Sequence, residues 1–99
     1  MNIVKKQDGS TLLFEIEGNI DSTTSNEFNE TVNKSLDGIE TVILDFGKVD
    51  YISSAGLRVL LVTSNALSKK GKMIIRHPNS NVMDIFSMTG FDNILNIEE

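Results

Sequence analysis

The sequence of 99 residues predicts an α/β fold built on a small mixed sheet, mainly parallel, with one antiparallel hairpin at its edge. Two observations carry this. Short runs of strand period alternate with longer helical stretches in the order β-β-α-β-α-β-α-β, and glycines, two Asp-Gly pairs and the single proline fall between the runs. Strands that alternate with helices pair in parallel through right-handed crossovers, and the two opening strands add the antiparallel edge.

Each element follows from local pattern. Asn2 to Lys6 and Thr11 to Glu17 flank Gly9. In the second run Leu12, Phe14 and Ile16 alternate with Leu13, Glu15 and Glu17, which is strand period with a polar edge. The pair is expected to join through Gln7-Asp8-Gly9-Ser10. After Gly18, the cluster Asn19-Ile20-Asp21-Ser22-Thr23-Thr24 holds residues that favour helix starts. Thr24 with Glu27 three positions on fits a capping box, and Asp21 or Ser22 offers another cap. Phe28, Val32 and Leu36 then form a narrow apolar stripe on a polar helix that Asp37-Gly38 ends.

Thr41-Val42-Ile43-Leu44-Asp45-Phe46 is nearly continuous in apolar and β-branched residues, the pattern of a central strand covered on both faces. Ser53-Ser54-Ala55-Gly56 opens the next helix, which is expected to run to about Lys69 and stop at Gly71. Its stretch Leu57 to Val62 is apolar almost all round, and Lys69 and Lys70 suit the negative end of its dipole. Met73-Ile74-Ile75 is a short buried strand stopped by Pro78. Ser80 or Asn81 begins a helix containing Val82, Ile85, Phe86 and Thr89, ended by Gly90. Ile94, Leu95 and Ile97 make the last strand.

Composition narrows the function. Apolar residues make up 39% and charged residues 23%, the balance of a globular chain, and the length suits one domain over residues 1–99. Nine basic against fourteen acidic residues give a net charge of −5, which argues against nucleic acid as a partner. The chain has no cysteine, so disulfides and thiolate chemistry are excluded. No run approaches the ~18 apolar residues of a spanning helix, so no direct membrane insertion is expected. The stretch Met1 to Asp8 lacks the apolar core of a signal peptide, and a cytoplasmic location is expected.

Little catalytic equipment remains. His77, the single histidine, lies beside Pro78 without a motif that supplies a nucleophile or an orienting acid, and it reads as a surface residue. Asp21, Asp45 and Asp50 lie near strand ends, where α/β sheets bind ligands, but no phosphate-cradling glycine loop accompanies them. Capping and turn formation explain all three, and neither a metal nor a cofactor is expected. The most informative stretch is Asp50-Tyr51-Ile52-Ser53-Ser54-Ala55-Gly56-Leu57, which sets hydroxyls at a helix N-terminus. One such hydroxyl is a cap worth about 1 kcal/mol. Alternatively it is a phosphorylation target, since the positive end of a helix tolerates an added phosphate.

Here the chain resembles the anti-sigma factor antagonists of the bacterial STAS domain family. The segment Val42 to Leu60 is similar to the family's strand, loop and helix, in which the strand ends in Asp and the helix opens with an Asp-Ser-Ser/Thr-Gly type motif. Gly18-Asn19-Ile20-Asp21 resembles its Gly-x-Leu/Ile-Asp loop, and Phe86-Ser87-Met88-Thr89-Gly90-Phe91 its hydrophobic-x-x-Thr-Gly segment. The three matches fall in the family's order and, with the element order, cover nearly the whole chain.

The resemblance implies helices mainly on one face of the sheet and a non-enzymatic, partner-switching role. Such an antagonist binds an anti-sigma factor, usually a serine kinase, and so releases a sigma factor. Phosphorylation by the kinase ends the interaction and a serine phosphatase restores it. Two positions depart from the pattern: Ser53 stands where the motif opens with Asp, and Ala55, which cannot accept phosphate, stands before the glycine. Asp21 and Ser54 carry over by position. If the protein is switched by phosphorylation, Ser54 is the first candidate acceptor, facing the amides of Gly56 and Leu57, with Ser53 its neighbouring alternative; otherwise Ser54 is only a helix cap and the protein a permanent antagonist. The partner surface is expected to combine Asp21, Ser22 and Thr23 with Ser53, Ser54, Gly56, Leu57 and Arg58. A competing reading of the same fold is a stand-alone STAS component of a membrane transporter or lipid-transport complex. A small phosphotransfer or nucleotide-binding protein using Asp21 and Asp45 is a third, disfavoured by the missing base and glycine loop.

Overall fold

Backbone pairing in the computed structural model, which describes residues 1–67 and 71–98, orders one sheet as β1-β2-β3-β4-β5. The strands are β1 (Asn2–Asp8), β2 (Thr11–Ile20), β3 (Thr41–Ile52), β4 (Lys72–Arg76) and β5 (Asn96–Glu98). Between them lie α1 (Ser25–Asn33), α2 (Ser54–Leu67) and α3 (Ser80–Thr89), with a 3-10 turn at Phe91–Asn93. β1 runs antiparallel to β2 and the remaining pairs are parallel. Because β2 to β5 sit side by side in chain order, three right-handed crossovers carry all three helices to the same face.

That face holds the core. Leu12, Phe14 and Ile16 of β2, Val42, Leu44 and Phe46 of β3, and Met73 and Ile75 of β4 point into it. The helices contribute Phe28 and Val32, then Leu57, Leu60 and Leu67, then Val82 and Phe86. Phe46 and Phe86 stack at a tilt, ring centroids 6.5 Å apart, and tie α3 to the centre of the sheet.

The expectation of a central strand covered on both faces is corrected. Ile43 and Asp45, which point away from the helices, are only half-buried. The run looks two-sided because Ile43 is apolar. In register it joins Leu13 and Ile74 in one row on the open face, and these side chains shield one another without a covering layer. β3 also runs six residues further than its apolar pattern indicates. Irregularities between Glu15 and Glu17 and between Gly18 and Ile20 let pairing with β2 resume as far as Ile20 opposite Ile52.

Other boundaries shift for local reasons. The chain turns tightly at Gly9, whose φ of 61° suits glycine, and Asp8 faces Thr11 across the hairpin. α1 ends at Asn33, a turn before Gly38, and it is Ile39 that reaches the core while Leu36 packs at its margin. Ser80 does begin α3, with the Asn79 side chain accepting from the Val82 amide at 2.8 Å. Ile94 and Leu95 precede the last strand, because their amides close the 3-10 turn onto the Phe91 carbonyl. The expected placement of Lys69 and Lys70 in the last turn of α2 lies outside the described residues.

Candidate functional site

β2 and β3 finish level, so Asp21 and Ser53 leave neighbouring strand ends on the same edge of the sheet. The Ser53 amide donates to the Ile20 carbonyl at 2.8 Å and carries the ladder one step past the last paired residues. α2 then starts directly on top of those ends. A Cβ at Gly56 would lie 2.6 Å from Ile52 Cγ1 and 2.7 Å from Ile20 Cγ2. Glycine is required here by close approach of the helix backbone to the strands.

Before α1, the Asp21 carboxylate folds its own loop. Asp21 Oδ1 accepts from the Thr23 amide at 2.9 Å, the Thr23 hydroxyl at 2.7 Å and the Thr24 amide at 3.1 Å. Thr24 Oγ1 accepts from the Asp21 amide and donates to the Asn19 carbonyl. These bonds replace the expected capping box, and no side-chain cap forms from Thr24 to the helix. The donors of Thr23, hydroxyl first and amide second, hold the Asp21 carboxyl below the usual carboxylate range. Ser22 and Thr23 remain exposed on this loop.

At α2 the two serines divide the work. Ser53 is the cap: its Oγ accepts from the Gly56 amide at 3.4 Å, and its carbonyl accepts from the Leu57 amide at 2.9 Å. The two amides expected to face a phosphate on Ser54 are therefore already bonded to Ser53. Ser54 stands one position on, exposed, and its hydroxyl has no bonding partner among the described residues.

Ser54 opens onto a groove of about 440 Å³ between α1 and α2. Ala55, Arg58, Val59 and Val62 continue its α2 wall, and Ser25, Asn26 and Asn29 form the wall from α1. The Asn33 side-chain amide donates to Asn29 Oδ1 at 2.8 Å and to Thr63 Oγ1 at 3.1 Å, while the Thr63 hydroxyl donates to the Val59 carbonyl. This fully buried threonine holds the two helices in fixed register beneath the groove.

The structure thus sets Asp21, Ser22 and Thr23 beside Ser53 through the strand ends, and gathers Ser54 and Arg58 into the helix groove. Gly56 and Leu57 are buried and shape the backbone from inside. Ser25, Asn26 and Asn29 were not read from the sequence. Their signal is the polar flank of the Phe28–Val32 stripe, and sequence alone does not say which helix that flank faces.

The remaining candidates lie elsewhere. His77 adopts a φ of 60° at the end of β4, half-exposed, with Nδ1 3.5 Å from Asp45 Oδ1. Asp45 Oδ1 also accepts from the Gly47 amide at 2.9 Å, a turn role. Asp50 is exposed. Among the described residues, no group of three or more histidine, cysteine or acidic side chains is placed to hold a metal ion.

The family model described as the STAS domain matches residues 2–99. The chain belongs to the STAS domain family. A Bordetella bronchiseptica relative named anti-sigma factor antagonist BtrV is 32% identical over 81 residues, 80% of this chain and 70% of that protein. An anti-sigma factor antagonist from Mycobacterium paratuberculosis shares the fold with a TM-score of 0.88 at 17% identity, covering 98% of this STAS domain and 84% of that chain. Unphosphorylated SpoIIAA, also an anti-sigma factor antagonist, superposes with a TM-score of 0.84 at 16% identity, over 97% of this chain and 87% of its own. The phosphorylated form of SpoIIAA, from Bacillus, gives 0.75 at 15% identity, over 97% and 90%. The motif resemblance and the one-sided helix layer agree with these findings. Among the described residues, no helix of this STAS domain is long and apolar enough to cross a membrane.

Proposed function

We propose that this STAS domain is a cytoplasmic anti-sigma factor antagonist that binds an anti-sigma factor of the serine kinase type and is switched off by phosphate on Ser54. The observation that carries the reading is the division between the two serines: Ser53 is engaged as the cap, and Ser54 is exposed and unbonded at the mouth of the groove. A kinase needs a hydroxyl that is free to enter its own active site, and Ser54 meets that need without unravelling α2. In the transfer, Ser54 Oγ bonds to the γ-phosphorus of ATP, the bond to the bridging oxygen breaks, ADP leaves and a base of the kinase takes the hydroxyl proton. A serine phosphatase reverses the change by hydrolysis.

The partner surface spans the Asp21–Thr23 loop, the start of α2 and the α1–α2 groove. The chain itself acts by binding: among the described residues neither Ser53 nor Ser54 has a hydrogen-bonded base that would make it a nucleophile. That the relative BtrV and the structural neighbour SpoIIAA are named anti-sigma factor antagonists supports the role, as does the existence of SpoIIAA in both phosphorylation states.

Incubation with the cognate kinase and ATP, followed by intact-mass measurement and peptide mapping, tests the switch. One phosphate on Ser54, abolished by Ser54→Ala, is the expected result. No mass gain, or phosphate on Ser53 alone, overturns it.

A further inference from the structure

The helix groove has an electrostatic property that the partner-switching role does not by itself require. The chain carries a net charge of −5, yet among the described residues Arg58 is the one charged side chain lining this groove. Glu27 and Glu30 of α1 are outside the lining, and Glu30 faces Lys34 at 3.8 Å. Arg58 is exposed and enters no ion pair among the described residues. It lies one helical turn after Ser54. Residues at i and i+4 are neighbours on a helix surface, and an acid placed N-terminal to a base is the favourable order. Long helical side chains also lean toward the N-terminus, which aims the guanidinium back over Ser54.

We propose that Arg58 is the built-in counter-ion of a phosphate on Ser54, so that modification captures the groove's positive charge from within the same helix. This deepens the reading of Ser54 as the acceptor and rests on it. Among the described residues three observations meet here: an acceptor hydroxyl with no other bond, an unpaired guanidinium one turn away, and a groove wall free of carboxylates. An arginine fork binds a phosphate through two parallel N–H bonds, a geometry a lysine ammonium does not offer. The Gly56 and Leu57 amides are bonded to Ser53, so these two are not the donors that meet the phosphate.

The consequence is a change of sign. The unmodified groove presents one positive charge, flanked by the amides of Asn26 and Asn29 and the apolar surface of Val59 and Val62. A phosphate brings about −1.5 to −2 at neutral pH, so the modified groove is negative overall. A partner carboxylate seated on Arg58 would lose its place and meet repulsion, while the fold keeps its helix start. Arg58 is thus a positioning and specificity residue for the switch.

The test uses the full chain with phosphoserine incorporated at position 54 during translation, which bypasses any kinase. Phosphorus NMR follows the second ionisation of the phosphate, ordinarily near about 6. We expect it to lie lower in the otherwise native chain and to rise by about 0.5–1 pH unit in Arg58→Gln, the size expected for one neighbouring charge in a solvent-exposed setting. Arg58→Lys should recover part of that difference. The Arg58 side-chain Nε–H resonance should move with the same midpoint. Identical titrations in the native and Arg58→Gln chains overturn the proposal, leaving the helix end as the source of any lowering. Failure of the kinase to modify Ser54 is a separate result that bears on the acceptor assignment and leaves this titration intact.

Discussion

Replacing Gly56 with alanine is the sharpest probe of how the site is held. The added Cβ would meet Ile52 Cγ1 at 2.6 Å and Ile20 Cγ2 at 2.7 Å, about 0.7–0.8 Å inside ordinary van der Waals contact. Neither neighbour can yield easily. Both isoleucines are 1% exposed or less, both are β-branched and stiff at χ1, and they are opposite one another in the sheet. The start of α2 must therefore lift, which strains the bond from the Ser53 amide to the Ile20 carbonyl. Overpacking of this kind costs about 1–3 kcal/mol, and the better helix propensity of alanine returns at most about 1 kcal/mol. A net loss of about 1–2 kcal/mol is expected, read as a urea midpoint lower by on the order of 1 M. Ala66→Gly, on an exposed position of the same helix, calibrates the propensity contribution. If Gly56→Ala raises the midpoint or leaves it unchanged, propensity has won and the close-approach argument is wrong.

Other perturbations separate the roles assigned above. Ser53→Ala should lower stability by about 0.5–1 kcal/mol through loss of the cap, whereas Ser54→Ala should stay within about 0.5 kcal/mol of the native chain in the same denaturant titration; the reverse order would exchange the two serines. Phe86→Ala, which empties a fully buried ring site against Phe46, should cost about 3–5 kcal/mol in thermal or urea unfolding. Asp21 has a folded-state pKa below its unfolded value, so its stabilising contribution is complete above the unfolded pKa near 3.8 and fades as pH falls through the lower folded value. Stability curves of the native chain and Asp21→Asn should accordingly be separated at neutral pH and converge in strong acid; a constant separation down to the acid limit contradicts the linkage.

Local pattern determined much of this protein. The alternation in β2, the stripe of Phe28 and Val32, the αL glycine at Gly90 and the hydroxyls before Gly56 are short-range signals, and each specifies its element whatever surrounds it. The order of those elements, with right-handed crossovers, accounts for a parallel sheet with an antiparallel edge. The Asp21 and Ser53–Gly56 motifs were legible because a turn and a helix start use residues adjacent in the chain. Tertiary structure decided what depends on register and facing. Ile43 reads as buried on composition, yet only the strand order shows that its side of the sheet has no covering layer. Gly47 to Ile52 read as the connection between strand and helix, because the irregular pairing that makes them strand depends on β2 lying alongside. Which serine caps α2 follows from where the helix lands on Ile20 and Ile52. The groove follows from Asn29, Asn33 and Thr63 meeting across α1 and α2, residues separated by up to 34 positions in the chain. A linear pattern records what each residue prefers, and only packing shows which distant residue it touches.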